Sequence, residues 1–75
     1  MDQVKTVNIE REFITLGQLL KEEGIIPTGG AAKWFLQETP VWVNQEQDQR
    51  RGRKLYPGDQ VRIGDLEEVV IEGQA

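Results

Sequence analysis

Hydrophobic positions recur along this chain with two different periods, and each change of period marks a new element. From Val4 to Ile9 short β-branched residues alternate with polar ones, placing Val7 and Ile9 on one face of a predicted strand. In "FITLGQLLKEEG" the period lengthens: Leu16, Leu19 and Leu20 follow the i, i+3, i+4 spacing of one buried helical stripe. Thr15 and Gln18 form a capping box in front of that stripe. Gly24 supplies the left-handed residue that ends it, so the first helix is predicted from Leu16 to Glu23. Two turns of helix are unstable alone, so this segment must pack on a partner. Ile25 and Ile26 are expected in the core of the connection. Thr28 is expected to cap a second helix over residues 29–38, with Pro40 just past its end. At about 100° per residue, Ala31, Ala32, Phe35 and Leu36 share an apolar face. Lys33 and Gln37 lie opposite, and Trp34 falls at the edge, where it is expected to cover the core.

After Pro40 the period drops to two. Val41 and Val43 share a face, Trp42 points the other way, and Asn44 begins a turn. Pro57-Gly58 signals a turn into a strand with Val61 and Ile63 inward. Gly64-Asp65 turns again, and a last strand carries Val69 and Ile71 on one face. The outline is a strand, two helices, then three or four short strands, which is a small α+β domain.

With 75 residues the chain is read as one domain, 1–75, whose stability margin is thin because small domains bury a limited fraction of their surface. It has no cysteine and no histidine, so disulfides, soft metal sites and the usual neutral-pH general base are lacking. Zero cysteine fits a reducing cytosol. No apolar run approaches bilayer length, and "MDQVKTVNIE" lacks a signal-peptide layout, so a soluble cytoplasmic protein is expected. The adjacent pairs Glu22–Glu23 and Glu67–Glu68 read as solvated surface. "GIIPTGG" lacks the Lys-Ser/Thr of a phosphate loop. An enzyme is not expected, and no cofactor is implied.

One segment runs against the acidic balance of the whole. The formal charge is −4 and the sequence pI about 4.7, yet Arg50, Arg51, Arg53 and Lys54 sit within "DQRRGRKLYPGD" with only Gly52 between them. Such a run is a solvated loop in most proteins, but it also suits a phosphate track, because guanidinium groups present planar, multi-donor heads. Lys33 projects from the polar side of the second helix, and Gly29-Gly30 lies where free backbone N–H groups favour a phosphate. These glycines are equally readable as a tight turn. Trp42 is placed either to stack on a base or to pack against the terminal strands. Acidic residues fall mostly in the terminal strands, the first helix and the last turn, which predicts a one-sided charge distribution.

The segment "TLGQLL…PTGGAAKWFLQETPVWVNQ…YPGDQVRI" resembles the RNA-binding domain named after small-subunit ribosomal protein four, here the S-four domain. The resemblance spans Phe13 to Ile63, about two-thirds of the chain. It is carried by Leu16 and Leu20, the Ala32-Lys33 pair, "VWVN" at Val41–Asn44, and the Pro57-Gly58-Asp59 turn before Val61 and Ile63. "TGGAAKWFL" with "RRGRKLYPGD" is closer still to the short stand-alone bacterial members of the YaaA type. The resemblance implies two short helices on a small, mostly antiparallel sheet, extended here by N- and C-terminal strands. It implies a module that binds structured RNA, ribosomal or transfer RNA, or an assembling ribosomal subunit; a monomer with no membrane role is the accompanying expectation. Lys33 and Asn44 match family positions and join Arg50, Arg51, Arg53, Lys54, Gly29 and Gly30 as candidate RNA-binding residues. Thr15 and Gly29 stand where many members have Arg, Gly17 where they have Asp, and Gln45 where Gly is usual.

Two other classes remain as alternatives. A ubiquitin-like sulfur carrier also shows "VxVN" and "GDxVxI", but needs a terminal Gly-Gly where this sequence reads "EGQA". A protein-binding adaptor would use the basic loop to meet an acidic partner.

Overall fold

A computed structural model describes residues 4–73. Strand β1 (Val4–Ile9) is followed by the two-residue strand β2 (Ile14–Thr15) and helix α1 (Leu16–Glu22). A single 3-10 turn (Gly29–Ala31) leads into helix α2 (Ala32–Glu38). Then come β3 (Val41–Val43), β4 (Glu46–Gln47), β5 (Lys54–Leu55), β6 (Gln60–Ile63) and β7 (Glu67–Gly73). Five strands form one sheet in the order β1-β7-β6-β3-β4, antiparallel throughout except for the parallel pair β1–β7. The short strands β2 and β5 pair separately. This is the expected α+β arrangement of two helices with a mostly antiparallel sheet.

Register explains the core. Val41 lies opposite Ile63, Val43 opposite Val61, and Val61 opposite Val69, so the inward residues of these three strands meet one another. Val7 sits beside Ile71 across the β1–β7 pair. These join Leu16, Leu19 and Leu20 of α1 and Ala32 and Leu36 of α2 in one cluster, with Ile26 closing it and Ile25 half-buried at its rim. Burying a side chain such as Leu or Ile contributes about 1.5–3 kcal/mol, which is why two seven-residue helices hold here and would not in isolation.

The helix ends follow from local chemistry. Thr15 Oγ1 accepts from Gln18 N while Gln18 Oε1 accepts from Thr15 N, completing the capping box. At the other end Gly24 adopts φ +75°, Gly24 N donates to Lys21 O and Ile25 N donates to Leu20 O, a Schellman motif. Helix α2 departs from expectation at its start. Thr28 makes no side-chain cap, and Gly29–Ala31 wind into a 3-10 turn, so the α-helix proper begins at Ala32. Consecutive glycines are poor helix formers, and the tighter turn satisfies Ala31 N with Thr28 O.

Two expectations about side chains are corrected. Trp34 does not cover the core: it is 67% exposed on the side of α2 opposite Ala32 and Leu36. Nor are the glutamate pairs simply solvated. The Glu23 side chain is only 8% exposed and lies 2.8 Å from Lys5 Nζ of β1. Glu67 of β7 joins it, with Oε2 buried and without a hydrogen-bond partner. Burial, and then the Glu23 carboxyl beside it, push the Glu67 carboxyl above its ordinary range.

Candidate nucleic-acid interface

The basic segment is built around an acid. Asp48 N donates to Val41 O, which draws the start of the loop against β3 and leaves Asp48 only 7% exposed. Its Oδ1 accepts from Arg50 N at 2.8 Å and Arg50 Nε at 3.0 Å. Its Oδ2 accepts from Arg50 Nη2 and Arg53 Nη1, both at 2.8 Å. These bonds, those from the Arg50 side chain foremost, hold the Asp48 carboxyl well below the usual carboxylate range. Glu46 lies 3.9 Å from Arg53 on the outer side. The expected separation of acidic and basic surfaces therefore fails at this loop, because carboxylates sit among its arginines.

Two of the four loop cations consequently have an internal counterion, and two do not. Among the described residues Arg51 and Lys54 form no ion pair. Lys54 Nζ lies 5.0 Å from the centroid of Phe13, whose ring meets Tyr56 at 5.8 Å. An open groove of about 670 Å³ runs here, lined by Arg50, Gly52, Arg53, Lys54, Tyr56 and Asp59. Tyr56, 42% exposed, was not singled out by the sequence. Its position beside the basic run was the available signal.

The loop is docked rather than free. Leu16 N donates to Arg53 O and Gly17 N to Arg51 O, both at 2.8 Å, so loop carbonyls satisfy the first amides of α1. Gly17 eases this approach, because a side chain there would be tightly packed. A Cβ there would stand 3.3 Å from Arg51 O and 3.5 Å from the Ala32 Cβ. Gly17 thus has Arg51 and Ala32, the first residue of α2, both close to its Cα, and Lys33 follows Ala32. Lys33 forms no ion pair among the described residues and lies 5.9 Å from the Trp34 ring.

The remaining candidates are placed differently. Gly29 and Gly30 are exposed in the 3-10 turn, with open space around a Cβ at Gly29, so crowding does not demand glycine there. Asn44 is engaged within the protein: its Oδ1 accepts from Gln60 N and its Nδ2 donates to Asp59 Oδ1. With Asn44 at φ 52° and Gln45 at φ 72°, these residues form the tight turn between β3 and β4. Trp42 packs under Arg62 of the neighbouring strand, 5.6 Å from guanidinium to ring. No helix among the described residues is long and apolar enough to cross a membrane, and no group of three potential metal-ligating side chains gathers among them.

Residues 7–72 match the family model described as S4 domain. A protein of Bacillus subtilis (strain 168) named "Probable ribosome maturation protein RlbA" is 60% identical over 57 residues, spanning 76% of this chain and 80% of that protein. With a family model matching nearly all of its two short helices and antiparallel sheet, the chain belongs to the S4 domain family.

Proposed function

We propose that this protein is a non-enzymatic binder of folded RNA, contacting ribosomal RNA or a ribosome-assembly intermediate through the Arg50–Lys54 loop and α2. The observation that carries this reading is the pair Arg51 and Lys54, cations without acidic partners among the described residues, on a loop fixed to α1 by backbone hydrogen bonds and with Lys54 lining a groove. Lys33 extends the positive track along α2. Arg50 and Arg53 serve chiefly to shape the loop around Asp48, although Arg50 keeps 73% of its side chain in solvent and remains within reach of a phosphate. The family assignment and the ribosome-maturation name of the Bacillus subtilis relative support the same reading.

The test is binding to structured ribosomal RNA at several salt concentrations. A log–log slope of roughly −3 to −5 is expected for about four to five neutralised phosphates. Replacing Lys33, Arg51 and Lys54 with Ser should weaken binding and flatten the slope by about 2 to 3. Unchanged affinity and slope in the folded variant would falsify the reading. If material captured from lysate survives ribonuclease and holds only protein, the adaptor reading replaces it.

A further inference from the structure

The sheet has a second face, turned away from the helices, and one part of it is built like a ligand site. Across adjacent strands Trp42 lies opposite Arg62, and Arg62 opposite Glu68. A cleft of about 350 Å³ opens there, lined by Trp42, Gln45, Gln60, Val61, Arg62 and Glu68. That volume lies in the range of small-molecule sites, ~300–1,000 Å³.

Three observations bear on what it takes. First, Arg62 stands between an indole and a carboxylate and lies over the indole, forming no ion pair among the described residues. Its guanidinium plane is thus not committed to a carboxylate. Second, Trp42 is half-buried, so part of its ring is held by the protein and part is open. Third, Gln45 is held at φ 72°, a left-handed conformation that costs free energy in any residue but glycine. Gln45 lines the cleft, and its side chain carries an amide donor and acceptor.

We infer that this cleft binds an unpaired nucleotide, its base stacked on the Trp42–Arg62 platform and its edge read by the Gln45 and Gln60 amides. A bare phosphate would have no use for the indole, and an apolar ligand none for two amides and a guanidinium. A nucleotide uses all of them: bases stack on aromatic rings and guanidinium planes, and amides bond their edges. The Glu68 carboxylate accepts from exocyclic amino groups, which favours adenine, guanine or cytosine over uracil. The inference rests on the RNA-binding reading for the source of the base, namely an unpaired residue flanking the folded element held by the basic loop.

The full chain carrying Trp34→Phe retains Trp42 as its one tryptophan. Titrating it with a short single-stranded oligoadenylate should quench Trp42 fluorescence saturably, and adenosine monophosphate should do so more weakly. Trp42→Leu in the otherwise native chain should weaken oligoadenylate binding about 5- to 100-fold. Because that variant removes a half-buried ring, two gentler ones carry the test. Arg62→Ser and Gln45→Gly should each weaken binding about 2- to 10-fold. Gln45→Gly should do so while melting at a higher temperature than the parent, a combination that general damage to the fold does not produce. Absence of quenching, or quenching indifferent to Gln45→Gly and Arg62→Ser, overturns the inference. Equal or tighter binding of the mononucleotide overturns its link to RNA. The proposed function is tested apart from this, through Arg51 and Lys54 with structured RNA, so either can fail without the other.

Discussion

Replacing Asp48 with Asn keeps the side chain's shape but removes the charge that Arg50 and Arg53 share. Arg53 is only 24% exposed, so it would keep part of its desolvation cost without its close counterion. The expected loss is about 2–3 kcal/mol, discounted from the value for a fully buried pair, and readable by urea unfolding. The pH dependence has a definite sign. A carboxyl whose folded-state pKa is depressed contributes stability above its ordinary value, near 4, and loses that contribution as pH falls below it. Asp48→Asn should therefore flatten the acid limb of the stability curve. The sequence displayed Asp48 two residues before Arg50 and five before Arg53, so the pairing was within reach. Its burial was not, because that comes from the bond to Val41 O, a contact no periodicity encodes.

The elements themselves were legible wherever the deciding forces are local. Capping boxes, a Schellman glycine and alternating strands each rest on neighbours a few residues apart, and α1, β1, β3, β6 and β7 formed where the pattern put them. What the pattern lacked was the joining of the ends. β1 runs parallel to β7, and Lys5, Glu23 and Glu67 meet between β1, the end of α1 and β7. Two carboxylates at such a junction repel unless one holds a proton. Glu67, whose pKa is raised, should thus favour the folded state most at acidic pH, the advantage fading as pH rises through its folded-state value. Glu67→Gln removes the charge and can donate to Glu23. It should raise the melting temperature at neutral pH and abolish this part of the pH dependence, measured by thermal melts from about pH 4 to pH 8.

At the scale of the whole molecule, net charge is a poor guide to what the surface offers. The chain is acidic by composition, yet one counterion arrangement decides which cations are open, and it leaves Lys33, Arg51 and Lys54 without acidic partners among the described residues. A charge run alone therefore mixes cations that pair with Asp48 and cations that do not, a division that appears only in the folded chain. The Leu16–Arg53 and Gly17–Arg51 hydrogen bonds also bear on how the molecule comes to exist. On a chain made from its N-terminus, α1 is complete in sequence long before the residues that satisfy its first amides have been synthesised. A short helix does not persist while waiting. A chain truncated after Gln49 should show little helix by circular dichroism, whereas adding the segment through Gly73 should restore it in one cooperative step. The surface proposed to meet RNA is, on this account, also the late-arriving clasp of the first helix, so the protein acquires its fold and its binding loop in the same event.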